Sequence, residues 1–189
     1  EARPSLIAQM RRADLVVCSG ADLEAGWLPV LLREAGNARV QPGLPGLFEA
    51  TRFVALLEKP ASLDRSQGDL HAAGNPHIHT DPRNLAGVGA ALAARMAELD
   101  PPSAAVYQAQ WQAFSARWSE AIVRWELRAK PLKGLPVAVQ HKSFSYLLAW
   151  LGMKEVVTLE PKPGVEPSVS HLARVATQLQ ATPARAVLR

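Results

Sequence analysis

Apolar side chains recur along this chain in short runs that alternate with helical stripes. Leu6, Ile7 and Met10 share one face of a short helix over residues 5–12. Asp14-Leu15-Val16-Val17-Cys18 reads as a buried strand closed by Ser19-Gly20. Leu23, Trp27, Leu31 and Leu32 mark the inner side of a helix that Pro29 starts or bends and Gly36-Asn37 ends. Residues 41–47 have the proline and glycine content of a loop. The stretch from Thr51 to Leu57 fits a strand or a short helix, and periodicity does not separate the two. A long polar loop over 58–76 follows, and loops of that length are commonly functional or disordered.

Asn84 is a fair N-cap for a helix to about Leu99, with Leu85, Val88, Leu92 and Met96 at helical spacing and Asp100-Pro101-Pro102 breaking it. Tyr107, Trp111, Phe114, Trp118, Ile122 and Trp125 then form one aromatic stripe along a helix of roughly 27 residues, about 40 Å long. This reads as a long packing helix rather than a cofactor platform. Leu135–Gln140 is a short strand that tolerates Pro136 near its start. Ser143–Leu151 is a helix capped by Gly152, Lys154–Leu159 a strand, Glu160–Pro167 a proline-rich loop and Ser170–Gln180 a helix. Ala186-Val187-Leu188 begins another strand. Strand–helix–strand alternation on both sides of the long helix predicts an α/β fold: parallel sheets flanked by helices, with ligands beyond the carboxyl ends of strands. The expected organisation is an incomplete N-terminal lobe over 1–100, a linking helix over 101–130 and an incomplete C-terminal lobe over 131–189.

Composition narrows the function classes. A chain of 189 residues, 48% hydrophobic, can bury one sizeable core or two small ones. No window approaches 18 uninterrupted apolar residues, and the first residues do not have the form of a signal peptide. The net charge of +4 is dispersed, with Arg11-Arg12 the only adjacent cationic pair, so no nucleic-acid footprint is present. Cys18 is the sole cysteine, which excludes an internal disulfide and cysteine-based zinc sites and suits a buried small hydrophobe.

The candidate chemistry lies in the histidines. Of five in the chain, His71, His77 and His79 fall within nine residues. His77 and His79 sit in Gly74-Asn75-Pro76-His77-Ile78-His79-Thr80-Asp81-Pro82-Arg83-Asn84, which its prolines keep from being helical. Imidazole is the commonest metal ligand, so the segment reads as a metal-binding loop, against the alternative of a solvated turn. His141 stands where a strand stops and a helix starts; the helix dipole there favours neutral imidazole with its lone pair available, although a capping role would suit the position too. His171 lies within a helix and reads as a surface or packing residue.

These motifs resemble the periplasmic solute-binding proteins of zinc and manganese ABC transporters. The resemblance runs through Arg11-Arg12-Ala13-Asp14-Leu15-Val16-Val17, the Gly74–Asn84 segment, Gln140-His141-Lys142-Ser143-Phe144-Ser145-Tyr146-Leu147 and Leu159-Glu160-Pro161-Lys162-Pro163-Gly164, and covers nearly the whole chain. It implies two lobes joined by one rigid helix, with a metal in the cleft between them and His77 and His141 as ligands. A histidine at 141, where manganese carriers often have glutamate, favours Zn2+ over Mn2+, and nitrogen donors agree. His79 and His71 are auxiliary metal-ligand candidates, and Asp81 is an acceptor that fixes the loop. The family's other ligands, an earlier histidine and a late acidic residue or water, fall outside this stretch, which has the look of the central part of a longer protein.

The resemblance further implies an extracytoplasmic, monomeric carrier, periplasmic or anchored to a membrane by another segment, that hands zinc to a membrane permease without turnover. Two alternatives stand beside it. His77-Ile78-His79 has the His-x-His form of metal-dependent hydrolases, but no companion general acid or base is evident. A metal-independent adhesion or scaffold protein could be built on the same fold.

Overall fold

The short β-branched runs become strands because their alternate side chains can be buried on two faces at once. In the computed structural model, which describes residues 3–59, 71–162 and 164–189, the first half of the chain forms α1 (Pro4–Met10), β1 (Val16–Cys18), α2 (Leu28–Ala35), β2 (Leu47–Glu49) and α3 (Asn84–Leu99). The long helix α4 (Ala104–Ala129) follows, then β3 (Pro136–Val139), α5 (Ser145–Leu151), β4 (Lys154–Thr158), α6 (Val169–Ala181) and β5 (Ala186–Leu188). The chain divides into two compact units, Glu1–Leu56 with Arg83–Ser119 and Leu57–Pro82 with Glu120–Arg189.

In the first unit, β1 and β2 pair in parallel, with Val16 opposite Leu47. Met10, Leu28, Leu31, Leu32, Ala35 and Val40 form the core beside them. Asn37 is buried there without an orphaned amide, because its Nδ2 donates to Met10 O at 2.9 Å and Ala13 O at 2.8 Å. That ties the end of α2 to the end of α1. Cys18 packs against the same core, and burial with Glu24 and Glu49 nearby pushes its thiol up to about 11, so it remains a protonated packing group.

Two local expectations are corrected and one left open is decided. Of the strand and short helix that 51–57 allowed, the structure has a short 3-10 helix over 50–53, with the strand β2 just before it. Phe48 is buried by stacking on Phe53 at 4.9 Å and by the Arg95 guanidinium over its ring, contacts that no local periodicity announces. Helix α2 begins at Leu28, with Pro29 in its first turn where the missing N–H costs nothing. Asn84 is already inside α3, whose cap position is taken by Arg83. Of the 58–76 loop, residues 60–70 lie outside the described residues.

The second unit carries a parallel sheet of order β4-β3-β5. Val137, Ala138 and Val139 of the central strand are all buried. Their alternation serves two helices: Val137 and Val139 pack with Leu148 of α5, while Ala138 packs with Val157 and with Val175 of α6. Gly152 ends α5 in the left-handed conformation that a Cβ would strain, with φ 65°. The β3–β4 ladder runs on past both strands, through Leu159 N–H to Val139 O at 2.8 Å and Glu160 N–H to Gln140 O at 3.0 Å. The residues just beyond the two carboxyl ends, His141 and Glu160, are therefore neighbours.

One backbone approach in the first unit gives a direct test of its packing. Gly46 accepts Val16 N–H at 2.8 Å, and a Cβ at Gly46 would overlap the Arg39 carbonyl and stand 3.0 Å from Asp14 O. Backbone cannot swing aside as a side chain can, so Gly46→Ala should lower stability by about 1–3 kcal/mol in denaturant unfolding. Gly26→Ala, where a Cβ meets nothing within 4 Å, should change it little.

Candidate metal centre

The loop carrying His77 has little regular structure, so its backbone groups need partners elsewhere. Asn75 is the residue through which several of those bonds run. Its side-chain oxygen accepts the His77 backbone N–H at 2.9 Å, an Asx turn that sets the chain direction into Pro76-His77. The same oxygen lies 2.9 Å from His77 Nδ1. Its amide nitrogen donates to Lys142 O at 2.7 Å and Glu58 Oε2 at 2.8 Å. The backbone completes the anchor: Asn75 N–H donates to Leu57 O at 2.8 Å, and the Tyr146 hydroxyl donates to Asn75 O at 2.6 Å while accepting Leu57 N–H at 3.0 Å. Tyr146 is buried on α5, and its burial raises the phenol pKa, which keeps the donor proton in place. After Pro76, a 3-10 turn over Ile78–Thr80 buries Ile78 and leaves His77 half-buried.

The Asn75 oxygen can only accept, so the ring nitrogen facing it carries the proton. Neutral His77 is thereby held as the Nδ1–H tautomer with its lone pair on Nε2. His141 reaches the same arrangement by another route. Its Nδ1 lies 2.7 Å from Glu160 Oε2, a carboxylate acceptor that leaves Nε2 as the remaining nitrogen. His141 does not cap the following helix; its ring is turned toward Glu160 instead. The two rings meet edge to face with centroids 5.4 Å apart and planes inclined at 76°. Outer-shell acceptors on Nδ1 are the usual means of orienting metal-ligating imidazoles and raising their basicity.

The other candidates differ in placement. His79 is exposed, with its ring centroid 6.2 Å from that of His77. The His71 carbonyl accepts Gly74 N–H in a turn at 3.0 Å. Asp81 is buried. His171 receives the Ser168 cap through its backbone N–H, and its Nε2 is buried without a hydrogen-bond partner among the described residues. No three His, Cys, Asp or Glu side chains among the described residues are gathered closely enough to hold an ion. Sequence reasoning passed over Asn75 and Glu160 as functional residues. Glu160 could have been found from the rule that groups at the carboxyl ends of adjacent parallel strands converge.

Electrostatics agrees with the donor role. Partial burial, together with the neighbouring His141, His79 and His71, brings the His77 pKa down to about 4. Its free value is 6.5, so the unfolded chain takes up this proton first as pH falls. Stability of the metal-free chain from this group is therefore full above about pH 6.5 and declines as pH drops toward 4. Denaturant unfolding between pH 7.5 and 4 should show that decline, and His77→Gln should reduce it.

Comparison with known proteins shows the family of the chain. The family model described as "Zinc-uptake complex component A periplasmic" matches residues 1–189. Among curated relatives, the high-affinity zinc uptake system protein ZnuA of Yersinia pestis is 24% identical over 194 residues, covering 94% of this chain and 59% of that protein. ZnuA of Bacillus subtilis is 24% identical over 181 residues, covering 94% of this chain and 55% of its own length. The chain thus spans somewhat more than half the length of these relatives. Among solved structures, a ZnuA crystal structure superposes with TM-score 0.76 at 23% identity, covering 96% of this chain and 65% of that one. The solute-binding protein FpvC from Pseudomonas aeruginosa, in complex with Mn2+, superposes with TM-score 0.73 at 26% identity, covering 99% and 64%. The fold is that of these solute-binding proteins, and with the family match extending over its whole length the chain belongs to the ZnuA family of periplasmic zinc-uptake components.

Proposed function

We propose that this chain is the metal-holding part of an extracytoplasmic zinc carrier, with His77 Nε2 and His141 Nε2 as two of the ligands. The observation that carries the reading is the paired orientation of the two rings. Each has its Nδ1 committed to an acceptor, Asn75 Oδ1 or Glu160 Oε2, and their centroids are 5.4 Å apart. Two imidazoles on different elements, each with Nδ1 held by an acceptor, are pre-organised donors.

Zinc takes three or four ligands in its protein sites, so these two are part of a larger set. Water and further ligands complete it, and His71 and His79, which form no three-member cluster with the pair, serve in capture. The bound ion is cargo, and the protein's work is to bind, orient and release it. Orientation comes from Asn75 and Glu160. The low pKa of His77 means protons compete little for its donor atom near neutral pH. The carrier works as a monomer in the periplasm and passes zinc to the permease of an ABC transporter, without catalytic turnover.

The competing cargo is manganese, the ion bound by FpvC, to which this chain is 26% identical. Imidazole nitrogen favours zinc, whereas manganese prefers carboxylate and other oxygen donors. Calorimetric titration separates the readings. Zinc should bind about equimolar and more tightly than manganese. His77→Ala and His141→Ala should each weaken binding by at least the 10–100-fold or so that loss of an outer-shell partner costs. Two variants that bind zinc as tightly as the unsubstituted chain would rule out this site, and tighter binding of manganese would replace the cargo.

A further inference from the structure

The Asn75 amide has two possible orientations, related by a half-turn about its terminal bond, and they have opposite consequences for His77. In the one present, the oxygen faces the His77 backbone N–H and Nδ1, and the nitrogen faces Lys142 O and Glu58 Oε2. The reverse would set the NH2 group against the His77 N–H and the amide oxygen against a carboxylate and a carbonyl. The groups on the far side of Asn75 therefore help decide which nitrogen of His77 is protonated.

Glu58 is held firmly for this task. Its backbone is left-handed, with φ 53°, a region that β-carbon-bearing residues seldom occupy unless their surroundings enforce it. Its carboxylate is fixed at both oxygens. Oε2 accepts from Asn75 Nδ2 at 2.8 Å; Oε1 accepts from the Ser145 hydroxyl at 3.0 Å and lies 3.5 Å from Lys142 Nζ. Residues 57–58 are further tied in through the Leu57 bonds to Tyr146 and Asn75. An outlying backbone conformation, buttressed in this way and aimed at the residue that orients His77, points to a purpose beyond folding.

We propose that Glu58 is a positioning residue that acts through Asn75, holding the amide so that His77 presents Nε2 as its lone-pair nitrogen. The carboxylate acts at the Asn75 amide. It supplies the negative acceptor that makes the reversed amide unfavourable, and α5 keeps it in place through Ser145. In consequence the orientation of His77 is set before any ion arrives. The tautomer claim concerns the metal-free chain alone; its effect on zinc rests on the proposed function above.

The test is nitrogen-15 NMR of histidine-labelled, metal-free chain at pH 7.5, paired with calorimetric zinc titration. The unsubstituted chain should show His77 as the Nδ1–H tautomer alone. In Glu58→Ala the Nε2–H tautomer should appear alongside it, and zinc should bind about three- to tenfold more weakly, at the lower edge of outer-shell effects. Glu58→Gln retains an acceptor oxygen and should restore both readouts most of the way. If Glu58→Ala does not fold, Ser145→Ala, which removes one hydrogen bond from the carboxylate and the longer 3.4 Å one that Ser145 Oγ accepts from Asn75 Nδ2, should shift both readouts in the same direction by less. An unchanged tautomer in a folded Glu58→Ala chain overturns the proposal, even if zinc affinity falls. So does a Glu58→Gln chain that behaves like Glu58→Ala, or an unchanged Ser145→Ala where that variant carries the test. A shifted tautomer in a chain that binds no zinc would support the positioning role and defeat the zinc reading instead.

Discussion

A single buried amide organises this molecule's candidate site. Asn75 joins three stretches far apart in sequence: Leu57-Glu58, its own loop, and the Lys142–Tyr146 segment. Every polar atom of the residue has a partner, so burial costs little and misorientation costs much. A loop rich in proline and glycine would otherwise sample many conformations. Here the entropy of ordering it is offset by hydrogen bonds that converge on one residue and by the burial of Pro76 and Ile78. The result is irregular backbone that presents His77 in one direction.

His141 is positioned by different physics. Its place follows from the sheet: β3 is central, β4 lies beside it in parallel, and the ladder continues for two further hydrogen bonds to bring Glu160 alongside. One imidazole is thus oriented by a neutral amide oxygen and the other by a carboxylate. A carboxylate beside Nδ1 is an outer-shell partner that metal-ligating imidazoles commonly have. Burial and the surrounding imidazoles keep His77 neutral.

Much of this was legible in the sequence, and the exceptions have physical causes. Strands β3 and β4 and helices α3 to α6 were visible because each carries several side chains of one period, bounded by proline, glycine or a polar turn. β2 was not, since Leu47 closes a proline- and glycine-rich stretch that reads as loop and Phe48 is buried by Phe53 and Arg95, partners found only on folding. The rarity and spacing of the imidazoles singled out the segment with His71, His77 and His79, a strand end marked His141, and the family resemblance paired 77 with 141; their approach to one another fits the rule for strand ends. The roles of Glu160 and Asn75 were hidden for a common reason. Glu160 needs the pairing of two strands to meet a residue 19 positions away. The direction of the Asn75 amide depends on Glu58 and Lys142, which no local pattern connects to it.

The account as a whole requires the two Nε2 atoms to share one ion, and crystallography on the zinc-loaded chain tests this most directly. Anomalous scattering at the zinc edge should place a single strong peak about 2.0–2.1 Å from both His77 Nε2 and His141 Nε2. A peak bound to only one of them, or one located elsewhere while the two rings keep their contact, would contradict it.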